Sequence, residues 1–367
     1  MSEGKRPASE KKGRGRPGLV AIARALGVAP STVSNAYNRP DQLSSALREK
    51  ILRTAAEMGY PGPDPVARSL RSGRAGALGV VFAERLPYAF DDPAAVQFLR
   101  GLSQAADEQQ LAVLLVPGSP EGTMHAESIG NAAVDGFVLH SLPEDDPLVE
   151  ATLKRRLPTV VVDAPALDGL DFVGIDDRAA AETAMAHLLD LGHRKIAVLG
   201  FRLTAQARPG PADLRRRAAA TASVARDRFE GCARAVADYG LDWADVPVQE
   251  CLTTGIEAGR TGTHALLDRA SDITALFALS DPLALGAKRA ADERGLAVPG
   301  ALSIIGFDDT LAPNEDLTSV QQPQRDKGRI AGERLIAAMS GTPGSARHEL
   351  LPTQLVVRGS TAPPGRT

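Results

Sequence analysis

The chain has 367 residues, 43% of them hydrophobic and 24% charged. That is enough to bury a sizeable core in two or three domains, and no apolar stretch reaches transmembrane length. Two cysteines, Cys232 and Cys251, with no CxxC and no His-rich cluster, exclude a disulfide framework and a structural zinc site, and no metal or cofactor is implied. The formal charge of −3 conceals an asymmetry: residues 1–75 carry 14 Lys and Arg against 6 Asp and Glu, a net of +8, while the remainder carries 28 against 39, a net of −11. A compact basic module is the electrostatic footprint of a nucleic-acid binder, because Lys and Arg replace counterions on phosphates.

Residues 1–17 read as a basic tail without an apolar run of signal-peptide length, so the chain is expected to stay in the cytoplasm. Its GRGRPG stretch (13–18) resembles a minor-groove arm, but reads better as a basic tail that helps only non-specifically. Leu19, Ile22, Ala23 and Leu26 then recur at helical spacing, and Gly27 stops that helix with a residue that tolerates positive φ. In GVAPSTVSNAYN (27–38) a second helix begins at once. Pro30 suits its first turn, and Val33, Ala36 and Tyr37 can face the first helix. Ser31, Thr32, Ser34 and Asn35 are left facing outward. The pattern predicts a helix-turn-helix over residues 18–62 whose second helix enters the major groove. Pro30, Ser31, Thr32, Ser34 and Asn35 are its DNA-binding residues, with Ser31 and Asn35 at base edges and Thr32 and Ser34 on phosphates. The plainer alternative is a pair of surface helices with solvated Ser and Thr. LSSALREKILRTAAEMGY (43–60) follows as a third amphipathic helix on Leu47, Ile51, Leu52, Ala55 and Met58, then a Pro-, Gly- and Arg-rich linker (63–76) with a short helix at Val66 to Arg71.

From residue 77 onward, apolar β-rich runs at Leu78 to Phe82, Leu111 to Val116, Gly136 to Leu139, Thr159 to Val162, Ile196 to Leu199, Ala275 to Leu279 and Ser303 to Gly306 alternate with amphipathic stretches. Such alternation predicts an α/β body of parallel sheets with helices on both faces, too long for one open sheet and so divided into two similar lobes. Asp308, in GFDD, follows a buried strand, so its carboxylate would emerge at the strand's C-terminal end, where it could accept bonds from hydroxyl groups. Arg228, in ARDRFEG, is expected at a helix start, offering a fixed fork of donors. Asp281 before Pro282 is a candidate helix N-cap as much as a ligand-binding residue. The segment 201–223 reads either as a solvated, mobile loop or as a charged entrance to the ligand site.

The stretches GVAPSTVSNAYN, PVARSLRSGRAGALGVVF, VGIDDRAAAETAMAHLLDLGHRKIAVLG, LSDPLALGAKRAADERGLAVPGALSIIGFDD and LTSVQQP together resemble the LacI family of bacterial transcription regulators, from about residue 18 to 361. The resemblance implies an all-α helix-turn-helix head joined by a hinge helix to a two-lobed, periplasmic-binding-protein-like core at 77–361, followed by a tail at 362–367. One lobe would comprise 77–174 and 324–350, the other 175–323 and 351–361. It further implies a homodimeric repressor of a pseudo-palindromic operator in double-stranded DNA, switched by a small polar effector, sugar or nucleoside-like. Arg228, Ser280, Asp281, Asp308 and Gln322 match effector-binding positions, and Leu70 and Arg71 match hinge residues that enter the minor groove. The chain departs from the family pattern at Ala29, where a Ser N-cap is usual, at Asn35, where an Arg or His often reads bases, and near Thr254, where some relatives carry an aromatic residue. A secreted sugar-binding protein would share the two-lobed body but would carry a signal peptide in place of the basic head. A sugar kinase would need a phosphate loop, and no GxxxxGK[ST] is present. The chain is therefore expected not to be an enzyme.

Overall fold

The computed structural model describes residues 18–62, 73–118, 126–341 and 345–365. The basic tail and most of the hinge, including Leu70 and Arg71, lie outside the described residues. The chain divides into two compact units, Met1–Arg74 and Ala75–Thr367.

In the first unit, α1 (Leu19–Leu26), α2 (Pro30–Asn38) and α3 (Ser45–Glu57) enclose a small core of Ile22, Ala23, Val33, Ala36, Ile51 and Ala55. Gly27 ends α1 at φ 65°, and its N–H reaches the carbonyls of Ala23 and Arg24. Ala29 gives α2 no side-chain cap, so the helix starts on Pro30, whose missing N–H costs nothing there. The third helix is shorter than the predicted span of 43–60, starting at Ser45 because Ser44 caps it by accepting from the Leu47 N–H at 3.3 Å.

The second unit begins with β1 (Ala77–Phe82), α4 (Tyr88–Asp91), α5 (Pro93–Glu108), β2 (Ala112–Val116), α6 (Ala126–Asn131), β3 (Gly136–His140), α7 (Pro147–Lys154), β4 (Thr159–Val162) and β5 (Asp171–Ile175). It continues through α8 (Asp177–Asp190), β6 (Ile196–Gly200), β7 (Gly210–Pro211), α9 (Leu214–Ala218), α10 (Ser223–Asp238), β8 (Val248–Glu250), α11 (Ile256–Arg269), β9 (Ala275–Ala278), α12 (Asp281–Glu293), β10 (Ser303–Asp308) and β11 (Thr318–Gln321). It ends with α13 (Gln324–Met339), β12 (His348–Leu351) and β13 (Gln354–Val356). Among the described residues these strands form two sheets, ordered β12-β5-β4-β3-β1-β2 and β13-β11-β10-β9-β6-β8-β7. All pairings are parallel except at the edge strands β7 and β13. Strands β1, β3, β4, β6, β9 and β10 are buried along their whole length, which is why they read as continuous apolar runs. β5, β8 and β11 carry polar residues and gave no such run.

The chain crosses between the sheets three times, after β5, between β11 and α13, and between β12 and β13. Helices α5 and α13 pack at close range over the first sheet: a Cβ on Gly328 would fall inside the radius of the Phe98 carbonyl oxygen. Among the described residues no helix is long and apolar enough to cross a membrane.

The segment 201–223 is packed, contrary to a solvated, mobile loop. β7 adds an edge strand to β8, and α9 buries Arg217, which donates to the carbonyls of Ala212 (2.7 Å), Trp243 (3.0 Å) and Val246 (2.7 Å) and lies over the Trp243 ring. A guanidinium with that many fixed acceptors holds the segment down.

Candidate functional site

On α2 the predicted DNA-facing residues are not equivalent. Pro30 and Ser31 are exposed, whereas Thr32, Ser34 and Asn35 are half-buried. Asn35 Nδ2 donates to Gln42 Oε1 at 3.3 Å, and Asn38 Nδ2 donates to both the carbonyl and the hydroxyl of Ser34 at 3.1 Å. Gln42 thus orients a predicted base reader and Asn38 a predicted phosphate contact, roles that sequence reasoning missed. The i, i+4 spacing of Ser34 and Asn38 was the available signal. The opposite face is fixed to the head by Arg48, whose Nε donates to the Ala36 carbonyl at 3.2 Å.

The second candidate site is a cleft where the C-terminal ends of β1, β3 and β4 from one sheet meet those of β6, β9 and β10 from the other, as parallel sheets arrange their ligand sites. Its cavity volume is about 110 Å³, room for a small molecule rather than a single water. Asp308, Arg228, Ser280 and Gln322 all line it. Asp308 is the last residue of β10 and has φ 108°, and Ser141 and Asp163, at the ends of β3 and β4, have φ 52° and 63°. Three of the seven non-glycine residues with positive φ among the described residues thus line the cleft.

The floor of the cleft is a connected polar chain. Lys327 on α13, fully buried, donates to Asp163 at 2.6 Å and to the Gln322 side-chain oxygen, while the Gln322 amide donates to Asp308. Burial pushes the Asp308 carboxyl well above its usual pKa, against the opposing pull of Arg228. Arg228 stacks 3.5 Å above the centre of the Phe307 ring and donates to Asp177 (2.7 Å) and the Leu279 carbonyl (2.6 Å). It sits in the second turn of α10 and not at the helix start, because the helix begins at Ser223.

Asp281 does not line the cleft, which corrects the sequence expectation. It is the first residue of α12 and fully buried, and its carboxylate accepts from Ser319 Oγ (2.6 Å) and from the N–H groups of Thr310 (2.8 Å) and Leu311 (3.3 Å). The cap of α12 is Ser280, whose Oγ accepts from the Leu283 N–H at 3.4 Å.

The cleft mouth holds residues that sequence reasoning missed. Arg202 forms a buried ion pair with Glu84 at 3.2 Å and donates to the Ala83 carbonyl at 3.0 Å. Asp92 caps α5 and accepts from Thr254 Oγ1 of the other lobe at 3.1 Å. Burial raises the pKa of both Glu84 and Asp92. The sequence signal for Arg202 and Glu84 was their place just after an apolar strand, and for Asp92 its place as a helix cap before Pro93.

Residues 185–361 match the family model described as a periplasmic binding protein-like domain. Over 324 residues the chain is 43% identical to the HTH-type transcriptional regulator IpsA of Corynebacterium glutamicum, spanning 87% of this chain and 90% of that relative. A LacI-family transcriptional regulator from Corynebacterium glutamicum is similar in structure at a TM-score of 0.74 and 36% identity, covering 94% of this chain and 98% of the other. The transcriptional regulator CelR in complex with cellobiose is similar at a TM-score of 0.67 and 28% identity, covering 94% and 100%. With the basic head on one unit and the two-sheet cleft on the other, the chain belongs to the LacI family of helix-turn-helix transcriptional regulators.

Proposed function

We propose that this regulator is a cytoplasmic homodimeric repressor that binds a pseudo-palindromic operator through α2 and is switched by a neutral, hydroxyl-rich molecule in the cleft. The observation that carries the effector class is the excess of acceptors there: Asp308, Asp92 and Glu84 all line the cleft, while Arg228 and Arg202 direct guanidinium donors at Asp177 and Glu84. Carboxyl oxygens accept in either protonation state, so a ligand that donates from several hydroxyls suits them, whereas an anionic phosphate or carboxylate brings further acceptors and charge into a cleft that already disfavours charged carboxylates. The cellobiose complex of CelR supports a sugar. The cleft is read as a binding site and not a catalytic one.

Coupling to DNA is assigned to the hinge, 63–76. A six-residue helix at Val66 to Arg71 is too short to persist alone, so its formation on DNA would depend on how the paired bodies hold it. Leu70 would wedge into a minor-groove base step beside Arg71. Calorimetry with glucose, ribose, cellobiose and adenosine, each beside its phosphorylated counterpart where one exists, tests the effector class: binding confined to phosphorylated compounds refutes it. For the hinge, Leu70→Ala weakens operator binding and bending while ligand affinity without DNA stays unchanged; parent-like bending by that variant removes the wedge.

A further inference from the structure

His140 closes β3 at its C-terminal end and lines the cleft. It is 6% exposed, and neither Nδ1 nor Nε2 has a hydrogen-bond partner. Its ring lies against Phe98 at 4.2 Å and Phe82 at 5.2 Å between centroids, an apolar sandwich that a phenylalanine or leucine would fill without carrying unsatisfied nitrogens. Gln324, the first residue of α13 just past the crossover, lines the same cleft, is nearly as buried, and leaves its Oε1 without a partner. An orphaned buried polar atom carries a desolvation penalty, and two of them facing one cavity indicate partners that arrive from outside the chain.

We propose that His140 and the side-chain oxygen of Gln324 form the first-lobe half of the effector site and select a ligand that presents hydroxyl groups to that wall. The inference rests on the neutral, hydroxyl-rich effector proposed above and assigns the residues that read it from the lobe opposite Asp308. Burial lowers the His140 pKa to about 4, outweighing the nearby Asp163, so at neutral pH the imidazole is uncharged, with one nitrogen donating and the other accepting. A hydroxyl satisfies either nitrogen and can donate to Gln324 Oε1. An ionised phosphate oxygen can accept from the donating nitrogen but cannot donate to the accepting nitrogen or to Gln324 Oε1, and its charge enters a cleft lined by Asp163 and Asp308.

The test uses the full chain. Calorimetry first finds the tightest binder among glucose, ribose, cellobiose and adenosine. His140→Phe then weakens that binder by about tenfold or more, the loss expected for one hydrogen bond, while its melting temperature without ligand equals or exceeds the parent's. His140→Asn, which keeps a donor and an acceptor, binds within a few-fold of the parent, and Gln324→Leu weakens binding without loss of thermal stability. Parent-like affinity in both His140→Phe and Gln324→Leu overturns this assignment while leaving the proposed effector class standing. A lower melting temperature for His140→Phe together with undiminished binding identifies the imidazole as structural and also overturns it. If no neutral compound binds the parent, the effector class and this assignment fall together.

Discussion

Asp308 and Asp281 are both buried carboxylates near the end of β10, yet they do different work. Asp308 faces the cleft from strained backbone, and its one side-chain donor is Gln322. Asp308→Ala therefore leaves a folded protein that still binds operator, but effector affinity falls by about 1 to 3 kcal/mol, the loss expected when a buried hydrogen-bond partner of a bound polar ligand is removed. Parent-like calorimetry for that variant removes Asp308 from the site. Asp281 instead ties α12 to the 309–311 turn and to Ser319, and burial raises its pKa from 3.8 to about 6 despite the donors around it. A carboxyl whose folded pKa is raised is favoured in its protonated form on folding. Its contribution to stability is full below the unfolded value and is lost as pH rises through about 6. A shift of about two units corresponds to roughly 3 kcal/mol across pH 4 to 6. Denaturant titrations at steps through that window should show a flatter fall in stability for Asp281→Asn than for the parent; equal slopes rule out this assignment. Sequence reasoning placed Asp308 at the cleft because it ends an apolar strand. It misplaced Asp281 because the carboxylate's partners lie 29 to 38 residues away.

Among the elements, α2 and α13 show what local pattern can reveal. The apolar and polar faces of α2 were legible from spacing, since Val33 and Ala36 are buried and Ser31 is exposed. What spacing did not reveal is that Asn38 and Gln42 hold Ser34 and Asn35. Asn35→Ala is expected to relax preference at one base pair of each half-site by about 1 to 3 kcal/mol, read by selection from a randomised operator. An unchanged preference excludes Asn35 as a reader. In α13, Gly328 lets the helix backbone approach Phe98 on α5. Gly328→Ala has no flexible side chain to displace, only backbone, and should cost about 1 to 3 kcal/mol as overpacking. The measurement is the melting temperature of the second unit, and a value at or above the parent's contradicts the close approach.

For the second unit as a whole, the contacts that bridge the two lobes are concentrated in the segment 201–226. Arg202 pairs with Glu84, Thr221 donates to Asp145 at 2.5 Å, and Arg226 pairs with Glu144 at 3.0 Å. Of these, the Arg202–Glu84 pair is the most enclosed, with Arg202 buried and Glu84 partly buried, so removing Arg202 leaves a partly desolvated carboxyl group unpaired, a loss of about 1 to 3 kcal/mol. The strain is relieved if the lobes part and hydrate Glu84. Arg202→Ala should therefore give a larger radius of gyration by solution scattering and faster hydrogen exchange at residues 83–92 in the absence of effector. Scattering and exchange identical to the parent's would mean the pair does not hold the cleft closed.

By itself the sequence determined the basic head, its three helices and turn, and the buried strands of both sheets, because each depends on local periodicity, capping or an uninterrupted apolar run. It also determined that Asp308 ends one of those apolar strands, and so brought it to the cleft, whereas Gln322, after the polar strand β11, was offered only by the family resemblance. Only the tertiary structure decided what each polar group bonds to. Lys327 reaches Asp163 across 164 residues, Arg202 meets Glu84 and Ala83 across the lobes, and Arg217 turns a loop-like segment into packed structure. The first two pairings follow from the three crossovers that fold one lobe against the other, the Arg217 pairing from packing within one lobe, and burial then fixes the charge and the unmet hydrogen bonds of His140, which no local pattern encodes.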